Sequence, residues 1–442
     1  MFHLDILLIA LVAASLPLCV WRPWIGVLVF AWLGGMYPHR IVSGLAYDLP
    51  LSKAVAVATL VGLLFTKERY PLPRRPEVYL LGALWLTFLA STMLAAVEPE
   101  RAWIKFVEVS KIFLMTGVTM VLFQDRAKVH ALLLVLSLSI GILGVRGGVW
   151  GFGTALQQRL FGPPGSSIGD NNALGFVFTI VLPLLAYLRQ QERSRVLRGL
   201  LLMAFGLSIV ALFTTYSRGA FVGLCLVLPL IGLQIRTKDK ALLVVGAAAC
   251  LVIYLAPRQW AERMQTITPT AYRADSSGAQ RMKAWYVAFR LGFDHPLLGA
   301  GFHPFSPAVY ERYLPGYSDY HDAHNHFLQI FAEHGLTGLG LFVALMAVVL
   351  LHLWRLARAV RGDPQREWIG DYVHMIGIAV IAFAAGGAFI NMPYCDLYFD
   401  LVAVAVVLQE IAASPGGSTC AALDERWIVA LMRRVRTVWR RA

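Results

Sequence analysis

Long apolar stretches separated by short charged loops set the pattern of this chain. The apolar runs fall near 4–20, 24–37, 51–66, 77–97, 103–123, 129–145, 172–188, 198–215, 219–235, 240–256, 326–355, 369–390 and 397–412. A helix that crosses a bilayer needs about 20 mostly apolar residues. The first two runs are short and separated only by "WRPW", so they read as one span plus a half-helix or re-entrant piece. About 12 crossings are therefore expected, in an all-α integral membrane protein, because lipid tolerates only backbones that satisfy their own hydrogen bonds. Segment 257–325 is the one large extramembrane piece. Within it Met282, Trp285, Tyr286 and Phe289 recur at i, i+3, i+4 and i+7, which predicts an amphipathic helix over 276–293 with Ser276 or Ser277 as its cap. Such a helix lies on the bilayer surface or covers a cavity.

Charge orients the spans. The basic loops are "KERYPLPRR" (67–75), "RQQERSRVLR" (189–198), "RTKDK" (236–240), "RLARAVRGDPQRE" (355–367) and the tail "RRVRTVWRR" (433–441). They alternate with loops poor in Lys and Arg, so all five fit a cytoplasmic position. The other face then receives 38–50, 98–102, 146–171, the "YSRG" turn (216–219), 257–325 and "NMPYCD" (391–396). The chain divides into an N-terminal transmembrane region (1–145), a transmembrane core with outer-face arginines (146–256), the large periplasmic loop (257–325), a C-terminal transmembrane region (326–412) and a basic tail (413–442).

Composition agrees. With 58% hydrophobic and only 15% charged residues, the surplus apolar surface must face lipid. The net charge of +13 follows from the basic cytoplasmic loops, and no basic-aromatic motif points to nucleic acid. The five cysteines form no CxxC pair, so neither a metal site nor a disulfide framework is signalled. The first apolar run has no basic region before it and no small-residue cleavage site, and reads as a retained span. There is no Walker A loop, no GxSxG elbow, no HExxH and no metal-nucleotide signature. A nucleotide-sugar donor is disfavoured by these absences, and a preactivated lipid-linked donor suits them.

Several polar residues stand where an ordinary membrane helix would not keep them. "DAHNHFLQIFAEHGLTGLGLF" (322–342) opens like a span yet carries His324, Asn325, His326, Glu333 and His334. At about 100° per residue, Gly335 and Gly338 fall near the face of His324, and that spacing equally marks a close-packed helix face. His321 to His326 has no metal-ligand spacing, so no metal is expected. Arg146, Arg218 and Arg281 all fall on the outer face, against the positive-inside bias. Snorkelling accounts for any one of them. Three together beside a histidine suggest an anion site, since guanidinium matches phosphate oxygens bidentately. Glycines next to Arg146 and Arg218 are expected to let backbone amides reach the same anion. Asp170, Asn171 and Asn172 in "PPGSSIGDNNALG" (163–175) read as a helix-capping turn or as a loop contacting sugar or pyrophosphate. Asp319, Tyr320 and Asp322 are further candidates to orient His324 or to bind sugar hydroxyls.

These residues resemble the O-antigen ligase family, relatives of O-antigen polymerases and bacterial O-oligosaccharyltransferases. The family pattern of His-Asn, nine residues, Gly, two residues, Gly is similar to His324-Asn325, Gly335 and Gly338. "YSRGAFVGL" (216–224), "QRMKAW" (280–285) and "HPLLGAGFHPF" (295–305) look like its other motifs, in order, over roughly 140–410. The N-terminal third, with "RPWIGVLVF" at 22–30, is similar to members found beside exosortase-type exopolysaccharide systems. The resemblance implies a GT-C-like glycosyltransferase in the bacterial inner membrane. The implied reaction moves a polysaccharide from undecaprenyl diphosphate to the lipid A-core oligosaccharide at the periplasmic face, with no cofactor. In this reading Arg218 and Arg281, with Arg146, hold the diphosphate, and His324 is the general base. Asn325, Tyr320, Asp319, Asp170, Asn172 and His326 are secondary candidates. A polymerase joining repeat units and a ligase acting on a protein hydroxyl share these motifs. A lipid or anion transporter fits less well, because no repeat is visible.

Overall fold

The computed structural model describes residues 2–42, 44–234, 260, 262 and 276–414. Among them there are helices and no strands. In chain order these are α1 (Phe2–Trp21), α2 (Pro23–Met36), α3 (Pro38–Ile41), α4 (Leu51–Phe65), α5 (Pro76–Met93), α6 (Pro99–Leu122), α7 (Arg126–Gly153), α8 (Asn171–Gln191), α9 (Arg195–Thr214) and α10 (Arg218–Gln234). They are followed by α11 (Ser276–Asp294), α12 (Pro307–Tyr313), α13 (His326–Ala359), α14 (Glu367–Gly386) and α15 (Asp396–Ala413). Proline opens α2, α3, α5, α6 and α12, where its missing N–H removes a donor that has no partner anyway.

Seven of the described helices are long and apolar enough to cross a membrane: α1, α5, α7, α8, α9, α13 and α14. The expected number was about 12, and the runs behave differently one by one. The run at 24–37 is the 14-residue α2, and 51–66 is the 15-residue α4, both short for a bilayer. The run at 103–123 is the later part of α6, whose stretch 99–111 carries Glu100, Arg101, Lys105, Glu108 and Lys111. The run at 240–256 and the basic tail lie outside the described residues.

Loop contacts separate into two ends. At the end holding the basic loops, Arg22 pairs with Glu68, Arg75 with Glu410 at 2.5 Å, and Gln191 bridges Arg126 at 3.2 Å and Asp371 at 2.5 Å. At the opposite end Tyr37 meets Ser167 at 2.8 Å, Asn171 reaches the Thr215 carbonyl at 2.7 Å, and Asn391 reaches Asp322 at 2.9 Å. The charge alternation in the sequence thus matches the alternation of helix ends.

α8 is buried along nearly its whole length, packed against α9, α10 and α14. α7 meets α9 through a glycine stripe. Gly141 faces Ala204, Gly144 faces Ser208, Gly148 faces Leu207 and Gly151 faces Thr214. Small residues at this spacing let two backbones approach closely, which is how helices associate without a hydrophobic driving force. Gly147 and Gly148 serve close packing as well. Gly219 is likewise filled from outside: a Cβ there would lie 2.7 Å from the Cβ of Phe389.

α13 is not one continuous rod. Gly335 has φ 65° and ψ −164°, and the helix breaks there. The amides of Leu336 and Thr337 turn to the carbonyls of Pro296 and Leu297, at 2.7 and 3.3 Å. In return Ala300 and Gly301 donate to the carbonyls of Ala332 and Glu333, at 2.9 and 3.0 Å. The Pro/Gly-rich loop 295–305 therefore supplies the partners that a broken helix leaves open. A Cβ on Gly335 would lie 2.5 Å from the Leu297 carbonyl carbon, so only glycine fits both the dihedral and the space. His324 lies two residues before α13 begins, so the shared helical face expected for His324, Gly335 and Gly338 does not exist. The glycines build the break instead.

α11 forms where the periodicity predicts it, but it docks with the other face. Ala284, Val287, Ala288 and Leu291 are buried against α13, and Gly292 takes the Phe331 ring. Tyr286 and Phe289 are outward, 47% and 51% exposed. The small-residue face won because it permits close approach, leaving large aromatics free for an amphipathic setting.

Candidate functional site

The site gathers at the end opposite the basic loops. His324 occupies the turn before α13, with φ 46°. A left-handed conformation costs a residue with a Cβ about 1–2 kcal/mol and persists only where the surroundings enforce it. Those surroundings are on both sides of the residue. The Trp285 indole donates to the Ala323 carbonyl at 2.7 Å, and the Ala323 amide donates to Gln329 Oε1 at 3.2 Å. On the other side, Asn325 caps α13, its Oδ1 accepting from Phe327 and Leu328 at 2.9 and 3.1 Å.

The ring of His324 is half-buried, and its Nδ1 has no hydrogen-bond partner. Burial, then the nearby positive charge of Arg281, lower its pKa from the ordinary 6.5, against opposing pulls from Asp322 and Asp170. The imidazole is therefore neutral near pH 7 and able to accept a proton. The same electrostatics places Arg281 and Asp170 around His324.

Arg218 begins α10 and is 7% exposed. It joins this region through segment 387–389. Gly219 backs onto Phe389, Asn325 Nδ2 donates to the Ala388 carbonyl at 3.2 Å, and the His326 amide donates to the Gly387 carbonyl at 2.7 Å. Asn171 fastens the turn before Arg218 through the Thr215 carbonyl.

The other candidates divide. Asp170 caps α8, accepting from the amides of Asn172 and Ala173 at 2.9 and 3.1 Å, with Asn172 half-buried beside it. Asp319 accepts from Gln280 at 2.5 Å and sits 2.7 Å from His321 Nε2. Asp322 accepts from Asn391. Tyr320 is 48% exposed. His326 is fully buried among the Phe176 and Phe383 rings, with both ring nitrogens unpartnered. It packs against these rings.

Arg146 borders a cleft whose lining does not include His324. It projects from α7 into a cleft of about 910 Å³ that Arg40 and Arg159 also line. Neither Arg40 nor Arg159 was singled out from sequence, although both share a cleft with Arg146.

A buried network was also missed. Gln329 Nε2 donates to Glu333 Oε1 at 2.6 Å, and the His303 amide reaches the same oxygen at 3.2 Å. Tyr394 Oη donates to Glu333 Oε2, and His334 bridges Tyr394 at 2.8 Å and Ser91 at 2.6 Å. Glu333 and His334 are thus structural, and through Gln329 the network ends on the peptide before His324. Among the described residues no His/Cys/Asp/Glu group is arranged to hold a metal ion.

Among the described residues the protein is helical, with seven helices long and apolar enough to cross a membrane, and His324 feels the charges of Arg281 and Asp170. Residues 203–343 match the family model described as O-antigen ligase, and residues 3–193 match that of a family of unknown function (DUF5935). No curated protein matches the chain. By its 203–343 segment the chain is similar to the O-antigen ligase family, which supports a ligase- or polymerase-type function. Arg218, Arg281, His324, Gly335 and Gly338 all fall inside that segment. Arg40, Arg146 and Arg159 fall inside the other.

Proposed function

We propose that the chain transfers a polysaccharide from undecaprenyl diphosphate to the lipid A-core oligosaccharide at the periplasmic face of the bacterial inner membrane. The observation that carries this reading is His324, held in a left-handed turn with a depressed pKa beside Arg281. His324 removes the proton from the acceptor hydroxyl. Arg281 and Arg218 bind the diphosphate and neutralise the charge it gains as the glycosidic bond breaks. Two guanidinium groups supply the neutralisation, so the reaction needs no cofactor and no metal. Attack opposite the leaving diphosphate inverts the anomeric centre.

The test is reconstitution of the full-length protein with lipid-linked polysaccharide, offered separately lipid A-core, a non-reducing glycan end and a serine-rich protein acceptor, with EDTA present. Transfer to lipid A-core with inverted linkage supports the proposal. Transfer only to glycan identifies a polymerase, transfer only to protein an O-oligosaccharyltransferase, and retained anomeric configuration removes the single-displacement mechanism.

A further inference from the structure

The cleft at Arg146 is a second cationic site. It is built from three parts of the chain distant in sequence: Arg40 from α3, Arg146 from α7 and Arg159 from the 154–170 connection. Tyr47, Trp150 and Phe161 supply apolar wall beside them. Arg40 stacks on Tyr47 with its guanidinium carbon 4.3 Å from the ring centroid. Gly165, at φ 68°, leaves room for both side chains, since a Cβ there would lie 2.9 Å from Tyr47 Oη and 3.4 Å from Arg40 Nη1. No carboxylate lines the cleft among the described residues, and no ion pair neutralises the three guanidinium groups there. Trp150 and Phe161 are 47% and 58% exposed, so the same opening shows greasy and cationic surface.

Three uncompensated guanidinium groups over a volume of about 910 Å³ suit a ligand with more than one phosphate oxygen. The exposed aromatics suit a ligand that is also a lipid, since such rings sit at the boundary of head groups and acyl chains. The cleft shares a wall with the His324 site. Leu174 of α8 lines it, while the charge of Asp170, one turn earlier, acts on His324. The Leu160 amide donates to the Thr214 carbonyl at 2.8 Å and Tyr216 Oη donates to the Leu156 carbonyl at 2.6 Å, binding the cleft floor to the turn that leads into Arg218.

We propose that this cleft binds the phosphate-bearing head group of a second membrane lipid, the acceptor, while Arg218 and Arg281 hold the donor. The assignment of the lipid as acceptor rests on the transfer reaction proposed above. Its occupation by a lipid phosphate does not. A reaction between two membrane lipids needs two head-group sites that meet, and the first turn of α8 is where these two meet.

The experiment measures binding to the full-length protein in detergent, by native mass spectrometry, of three probes: bisphosphorylated lipid A, undecaprenyl diphosphate and inorganic pyrophosphate. The variants are Arg40→Ala/Arg159→Ala and Arg281→Ala, each checked for unchanged thermal unfolding. The cleft variant is expected to lose lipid A affinity by about tenfold or more, as removal of charge-assisted hydrogen bonds does, with undecaprenyl diphosphate unaffected. Arg281→Ala is expected to show the reverse. Weak pyrophosphate binding alone, equal in wild type and variant, would overturn the proposal. So would loss of undecaprenyl diphosphate rather than lipid A in the cleft variant, which would make the cleft the donor site. A wild type that binds lipid A in the cleft but transfers nothing would refute the catalytic reading and leave the lipid-phosphate site standing.

Discussion

The indole nitrogen of Trp285 lies 2.7 Å from the Ala323 carbonyl oxygen, and this bond carries the geometry of the amphipathic α11 directly to the peptide before His324. Two helices separated by the whole 295–325 connection are thereby locked at one point. That lock helps to hold the left-handed turn at His324, with φ 46°, a conformation that costs a residue with a Cβ about 1–2 kcal/mol.

Trp285→Phe keeps the ring's bulk and removes the donor. The variant is expected to fold and bind donor normally while kcat falls about tenfold, as misplacement of a catalytic group does. Steady-state kinetics with donor titration checks this. A rise in KM with unchanged kcat would assign Trp285 to substrate binding instead.

The pH profile has a definite sign. Burial and Arg281 hold the His324 pKa below 6.5, so the neutral base persists to lower pH than in a free histidine. Activity is expected to stay level through neutral pH and to fall only as the solution becomes more acid than the depressed value. Arg281→Gln removes the second-largest cause, so its acid limb moves to higher pH. A kcat/KM profile for both proteins reads the shift, and unchanged limbs would separate Arg281 from His324.

Arg218 is 7% exposed, and its function is assigned to a planar fork rather than to charge. Arg218→Lys keeps the charge and loses bidentate geometry. A drop in kcat/KM of about tenfold or more is expected, measured on the lipid-linked donor. Full activity would mean that Arg218 only anchors α10.

Gly335→Ala places a methyl 2.5 Å from the Leu297 carbonyl at a φ of 65°. The expected cost is more than about 1 kcal/mol, visible as a lowered Tm in detergent. The loop 295–305 should lose protection from amide exchange first, since the Leu336 amide donates to the Pro296 carbonyl and the Ala300 amide to the Ala332 carbonyl. Unchanged stability and protection would mean that the break does not need glycine.

Apolar runs and charge alternation revealed the helical build and the two ends, because hydropathy and loop charge are local properties of a sequence. The span count was less legible: helices such as α2 and α6 are short or charged, and burial among neighbours decides their place. At the site, His324, Arg218 and Arg281 stood out because cations and imidazole are costly near lipid. Arg40 and Arg159 obeyed the same signal, but neither is directly flanked by glycine as Arg146 and Arg218 are. The role of Gly335 was misread, since assuming one continuous helix from His324 hides a break whose partners lie some 40 residues earlier, at Pro296 and Leu297. The network of Gln329, Glu333, Tyr394 and His334 joins residues about 60 positions apart, and no local pattern announces it.

The central claim is that His324 is the proton acceptor in transfer from a lipid diphosphate. It is tested most directly by His324→Ala in purified, folded, full-length protein, with polysaccharide transfer and donor binding measured side by side. The account predicts that transfer is abolished while undecaprenyl diphosphate still binds. Transfer at a near-normal rate by this variant would contradict it.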